Sequence, residues 1–131
     1  MTARLLIVDD DIDVAKLLRA YLKKTGSDVE ISYARSCKRA IRKVKEAILS
    51  GLPPHACLVD IKLPDTTGTD CIRQLQAMGL ANLCAFTAYS KPQIIEEAKR
   101  AGAVMVLKKS AGFAAIADTL AQLLDLAPLE L

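Results

Sequence analysis

The chain has 131 residues, of which 52% are hydrophobic and 25% charged. That is enough for one core burying roughly two-thirds of the unfolded surface, and too apolar for a disordered chain. Aromatic residues make up only 4%, none of them Trp, and the net charge is +3. This excludes a stacking platform for single-stranded nucleic acid and leaves no strong basic footprint.

The elements alternate along the chain. Leu5–Val8 is an apolar run of the kind buried on both faces of a parallel sheet, and it ends in Asp9, Asp10 and Asp11. Val14, Leu17, Leu18, Tyr21 and Leu22 follow at helical spacing. Val29–Ile31 is the second strand, and Cys37, Ala40, Ile41, Val44 and Ile48 mark the second helix. Ala56–Val59 is the third strand, ending in Asp60, with Cys71, Ile72, Leu75 and Met78 on the helix after it. Leu83–Phe86 ends in Thr87, and Ile94, Ile95, Ala98 and Ala101 mark the fourth helix. Val104–Leu107 ends in Lys108 and Lys109, before a last helix carrying Phe113, Ile116, Ala117, Leu120, Leu123 and Leu124.

Gly26, Gly51, Gly79 and Gly102 stand where helices end. Ser36, Ser90 and Ser110 stand where helix N-caps belong, and Pro92 lies just inside the fourth helix. Five strand–helix units with short right-handed crossovers predict an α/β fold: a five-stranded parallel sheet, doubly wound by five helices. One domain is expected over residues 1–131, with a core of about 4–125.

The remaining residues are less informative. Leu5–Val8 is too short for the apolar core of a signal peptide, and the uncharged run Gln74–Ser90 is broken by Gln76, Gly79 and Asn82. A cytoplasmic chain with no membrane span is expected. Cys37, Cys57, Cys71 and Cys84 stand far apart with no close pair, which predicts free, buried thiols. His55 falls at the amino end of the third strand, where a solvated loop residue is expected and no Ser/His/Asp triad can form. No phosphate-binding P-loop or dinucleotide glycine motif is present. On the second helix Arg35, Lys38, Arg39, Arg42, Lys43 and Lys45 oppose only Glu46. That face reads as solvated, with a docking patch for an acidic partner as the sharper alternative.

Function in such a sheet sits at the carboxyl ends of the strands. With the first strand central and flanked by the third, Asp9, Asp10 and Asp60 converge, and Thr87 and a lysine line the rim. Carboxylates 4 Å apart repel by on the order of 4 kcal/mol at an effective dielectric of 20. Such a cluster raises a pKa or holds a cation, and oxygen-only ligands select a hard ion, most plausibly Mg²⁺. A metal, an ammonium and a hydroxyl together suit an incoming phosphoryl group, with Asp60 as the nucleophile that forms an aspartyl phosphate.

Four motifs stand in order at the strand ends: Ile7-Val8-Asp9-Asp10-Asp11, Leu58-Val59-Asp60-Ile61-Lys62-Leu63-Pro64 with Gly68, Phe86-Thr87-Ala88, and Ala101-Gly102-Ala103 leading to Lys109. On these residues, from Leu5 to about Leu124, the chain resembles the receiver domain of two-component response regulators, the flavodoxin-like, CheY-like fold. The resemblance implies that Asp60 is the phosphoacceptor. Asp9, Asp10, Asp60 and the main-chain carbonyl of Lys62 would hold Mg²⁺, Asp10 directly and Asp9 mainly through water. Thr87 would be the switch hydroxyl and Lys109 the partner of the phosphate. It also implies a sensor histidine kinase or a histidine phosphotransfer protein as donor, and a downstream output domain or protein as target. The chain itself would bind no nucleic acid. It would be no enzyme beyond catalysing its own phosphorylation and dephosphorylation.

Two positions depart from the family. Ser110 stands where a cis proline usually follows the lysine, and Val106 replaces an aromatic residue of the fifth strand. A cis bond before a non-proline residue costs roughly 2.5–4 kcal/mol, so Lys109–Ser110 is expected to be trans. Val106 offers no ring to follow Thr87. Lys62 and Tyr89, two past the phosphoacceptor and two past the switch Thr, are expected to shield the phosphorylated Asp60 from water.

Rival readings are weaker. A calcium loop from Asp9 would need Gly and an acid where Val14 and Ala20 stand. A haloacid-dehalogenase-like phosphatase would use Asp9 as nucleophile, but Ile12-Asp13 does not supply the turn it needs. A pseudo-receiver interaction module would keep the fold without the chemistry, and has no need of the complete set Asp9, Asp10, Asp60, Thr87 and Lys109.

Overall fold

A computed structural model of the chain describes residues 2–88 and 91–126. Five parallel strands, β1 (Ala3–Val8), β2 (Val29–Ala34), β3 (Ala56–Asp60), β4 (Leu83–Thr87) and β5 (Ala103–Lys108), form one sheet in the order β2-β1-β3-β4-β5. Five helices connect and follow them: α1 (Ile12–Lys24), α2 (Cys37–Leu49), α3 (Gly68–Ala77), α4 (Pro92–Ala101) and α5 (Phe113–Leu126). The predicted class and all ten elements are present.

The sheet is wound on both faces because its central strands are apolar on both. Leu5 and Ile7 of β1 join Leu58, Cys84 and Phe86 beneath α1 and α5. Leu6 and Val8 join Cys57, Val59, Leu83 and Ala85 beneath α2, α3 and α4. Burying each large aliphatic side chain contributes roughly 1.5–3 kcal/mol, so this two-sided core is the main source of stability.

Burial on both faces, expected of all five apolar runs, fails at the two edge strands. β2 alternates between half-buried and exposed along most of its length, and β5 is mostly half-exposed. The strand order leaves each with one neighbour, and the helices do not cover the outer rows. A register shift between Leu83↔Ala103 and Cys84↔Met105 adds Val104 to β5 as a bulge residue and turns it outward.

Two of the three capping expectations need correction. Ser36 does cap α2, its Oγ accepting from Arg39 N at 3.2 Å. Ser110, however, lies in a short 3₁₀ turn, Lys109–Ala111, and α5 begins after Gly112, whose carbonyl accepts from Ile116 N. The α4 cap position is Lys91, ahead of Pro92, while Ser90 and Tyr89 lie outside the described residues. Among the described residues no peptide bond is cis, so Lys109–Ser110 is trans as expected.

The cysteines divide. Cys57 and Cys84 are free and buried in the sheet, and burial pushes the Cys84 thiol up to about 12. Cys37 and Cys71 form a disulfide, which overturns the expectation of four free thiols. They are 34 residues apart, but α2 and α3 are neighbours on one face of the sheet, and their Cα atoms come to 5.6 Å.

His55 is likewise no solvated loop residue. It is half-buried, its Nδ1 accepts from Arg4 N at 2.9 Å, and its own N–H donates to Arg4 O at 2.8 Å. It therefore prolongs the pairing of β1 and β3 by one residue ahead of β3.

Candidate functional site

The register of β1, β3 and β4 determines which side chains meet. Val8 pairs with Val59, so the residues that follow, Asp9 and Asp60, leave the sheet side by side. Asp60 in turn pairs with Phe86, one residue before Thr87. The result is a cavity of about 490 Å³ at the carboxyl edge, lined by Asp9, Asp10, Asp60, Lys62, Thr87 and Lys109 among others. These six residues are the phosphoacceptor, metal-holding, switch and lysine positions expected from the sequence.

Three of the four acids converge. Carboxylate oxygens of Asp9, Asp10 and Asp60 all lie within 4.8 Å of one another. Asp11 is engaged elsewhere, since its Oδ1 caps α1 by accepting from Asp13 N at 3.0 Å. Asp9 is 1% exposed and Asp60 6%, whereas Asp10 faces solvent.

Hydrogen bonds orient the two buried carboxylates. Asp9 Oδ1 accepts from Asp11 N at 2.9 Å, and Asp60 Oδ1 accepts from Lys62 N at 3.0 Å. Lys109 Nζ donates to Asp60 Oδ2 at 3.0 Å and lies 3.5 Å from Asp9 Oδ2. Asp9 Oδ2 is buried and, among the described residues, accepts no hydrogen bond. Burial, and then the charge of Asp60, lift the Asp9 carboxyl to about 6 against the counter-pull of the Asp11 N–H. Burial works against the Lys109 ammonium, but Asp60 and Asp9 outweigh it and raise its pKa, so it stays charged.

This donor set fits a hard divalent cation. It offers several oxygens, an excess of negative charge and one buried carboxylate oxygen that, among the described residues, has no hydrogen-bond donor. Asp9, Asp10, Asp60 and the carbonyl of Lys62 could hold such an ion, with the Lys109 ammonium beside it.

Sequence reading quotes Phe86 and Gly68 in its motifs without giving them a role, and passes over Asp65. Phe86 lies under the Lys109 ammonium, 5.0 Å from ring centroid to Nζ, and helps aim it. Gly68, the first residue of α3, packs so close that a Cβ there would overlap Asp60 O, while its N–H donates to Ile61 O at 2.7 Å. Asp65, in the same loop, accepts from Cys37 N and Lys38 N at 3.0 and 2.9 Å, binding the site loop to the start of α2. Each contact joins residues remote in sequence or depends on backbone position, so spacing alone carries no sign of it.

The chain matches known proteins over this architecture. A family model described as response regulator receiver domain matches residues 5–121. The response regulator protein PilR of Pseudomonas aeruginosa is 32% identical over 124 residues, which are 92% of this chain and 26% of that protein. The transcriptional regulatory protein ZraR of Salmonella typhimurium is 28% identical over 117 residues, 88% of this chain and 25% of that protein. The chain thus spans about a quarter of the length of these relatives. A solved response regulator receiver domain protein (CheY-like) from Methanospirillum hungatei JF-1 is 25% identical, with a TM-score of 0.77 and 95% of each chain covered. A two-component response regulator from Clostridium difficile shares the fold at 21% identity, with a TM-score of 0.80 over 95% of this chain and 97% of that one.

Proposed function

The chain belongs to the response regulator receiver domain family, and from that premise we propose that it is a cytoplasmic phosphoacceptor acting through Asp60. A sensor histidine kinase or histidine phosphotransfer protein supplies the phosphoryl group from a phosphohistidine. The phosphorylated chain then changes conformation to control an output domain or protein partner. The chain is no enzyme in any wider sense and catalyses only the gain and loss of its own phosphoryl group.

The observation that carries this reading is the arrangement of Lys109. Its ammonium touches Asp60 Oδ2 and reaches Asp9 Oδ2, at the centre of the acid cluster. An Asp60 carboxylate oxygen attacks phosphorus, an O–P bond forms, the N–P bond of the donor breaks and the donor imidazole leaves with a proton. The attack uses an Asp60 carboxylate oxygen, and the Lys109 ammonium lies beside it, 3.0 Å from Oδ2. Lys109 is also placed to take up charge on the transferred group, and Thr87, buried in the same cavity, offers a hydroxyl to a phosphoryl oxygen. Asp9, Asp10, Asp60 and the Lys62 carbonyl are the residues to hold Mg²⁺, which when bound neutralises charge on phosphoryl oxygens. Lys62 lines the approach to Asp60; its partner in the expected shielding, Tyr89, lies outside the described residues.

The test is intact mass after exposure to acetyl phosphate with Mg²⁺. One phosphoryl group is expected, mapped to Asp60, absent from Asp60→Asn and lost when EDTA removes the metal. Labelling that survives Asp60→Asn but disappears in Asp9→Ala would identify the phosphatase reading instead. No labelling of the parent chain would leave an interaction module.

A further inference from the structure

The charge pattern of α2 works against the helix that carries it. Arg35 and the α2 residues Lys38, Arg39, Arg42, Lys43 and Lys45 are all exposed, against one acid, Glu46, for a net +5 in a chain whose total is +3. Lys38–Arg42 and Arg39–Lys43 place like charges one turn apart. The first turn holds no acid of its own, and its cations face the positive end of the helix dipole, where the Asp65 carboxylate of the site loop accepts from Cys37 N and Lys38 N. Among the described residues, none of these cations takes part in an ion pair. The helix α1 shows the ordinary arrangement, with Asp13 in its first turn and Lys23 and Lys24 in its last.

The exposed face has shape as well as charge. Lys38, Arg42, Lys45 and Leu49 fall on one stripe, and Leu49 is 88% exposed at its end. The three cations line a groove of about 460 Å³ together with Ile41, with Thr66 and Gln74, and with one acid, Asp65, whose carboxylate is already engaged by Cys37 N and Lys38 N. A second concavity, lined by Arg35 and Arg39, reaches Asp10 at the mouth of the phosphoacceptor cavity.

We propose that the cationic stripe Lys38–Arg42–Lys45 and its groove against α3 form a docking surface for an acidic, amphipathic segment of a partner protein. Carboxylates of the partner meet the three cations, and an apolar side chain meets Leu49 or Ile41. The apolar positions favour protein over nucleic acid, since a phosphate backbone gains nothing from Leu49 or Ile41. The fold disfavours a lipid surface: the apolar side of α2, with Cys37, Ala40 and Val44, is committed to the core and cannot turn outward to insert. The proposal goes beyond the phosphoacceptor reading and does not depend on it.

The test titrates the isotope-labelled chain with a synthetic Glu-rich helical peptide carrying one Leu per turn, and follows backbone amide shifts. Shifts are expected along α2 and at Asp65, Thr66 and Gln74, with affinity falling as salt rises. Lys38→Glu/Arg42→Glu/Lys45→Glu should weaken binding at least about tenfold, a loss of roughly 1.4 kcal/mol. Arg19→Glu/Lys23→Glu on α1 should bind as the parent does. Circular dichroism and labelling by acetyl phosphate check that each variant is folded, and a failure of labelling in all variants alike would count against the phosphoacceptor reading alone. Duplex DNA and phosphatidylserine vesicles serve as competing probes. Equal binding by the triple variant, shifts spread over α1 as much as α2, or tighter binding of DNA or vesicles to α2 would each overturn the proposal.

Discussion

The two ends of the same three central strands are built on opposite principles. At the amino end, backbone and side chains close a hydrogen-bonded seam. Arg4 and His55 exchange two bonds, Arg4 Nε donates to Pro53 O, and Asn82 Nδ2 donates to His55 O at 3.0 Å. At the carboxyl end, β1 and β3 deliver Asp9, Asp10 and Asp60 into one pocket with a single bound ammonium. One end ties its strands together with hydrogen bonds, while the other gathers three carboxylates around one ammonium. The comparison teaches that the sheet core supplies stability to both ends, and that one end draws on it to keep carboxylates poised for a ligand.

The largest expected effect comes from the backbone under the acid cluster. Gly68→Ala would drive a Cβ into Asp60 O, a backbone atom that cannot rotate away. Overpacking of this kind costs roughly 1–3 kcal/mol, and here the loop beside Asp60 must shift. Acetyl phosphate labelling should fall at least tenfold while the melting temperature drops. Labelling at the parent rate would mean that the close approach does not position the acceptor.

The second prediction removes the excess charge. The Asp9 carboxyl is lifted from 3.8 to about 6 on folding, by burial first and the charge of Asp60 after it. A carboxyl lifted in this direction contributes fully to stability while protonated, below about pH 4, and the contribution is lost as pH rises through 6. In EDTA, Asp9→Asn should therefore be more stable than the parent above pH 6, by on the order of 2 kcal/mol, with the gain fading towards pH 4. Parallel stability curves for parent and variant across that range would show that Asp9 carries no such penalty.

The smallest effect is expected at the opposite end. Asn82→Ala removes the side-chain bond to His55 O and should cost about 1 kcal/mol, with phosphoryl labelling unchanged. Urea unfolding measures the first and intact mass the second. A change in labelling would show that the two ends communicate through the strands and would break the comparison.

The sequence by itself determined the class of fold and the members of the site. Apolar runs ending in Asp, Thr or Lys, separated by helical periods and closing glycines, are local signals, because strand burial and helix amphipathicity repeat every few residues. Gly102, for example, ends α4 at φ 124°, a backbone state that favours glycine. The strand order then makes Asp9, Asp10, Asp60, Thr87 and Lys109 neighbours with no further information. Tertiary structure alone decided the rest. The Cys37–Cys71 disulfide, the Asp65 carboxylate on the first N–H groups of α2 and the Arg4–His55 exchange all join residues dozens of positions apart. So did the uncovered outer rows of β2 and β5, since an edge position belongs to a strand's place in the sheet and not to its composition. Short-range pattern encodes which elements form, and only packing determines which distant side chains those elements bring within bonding distance.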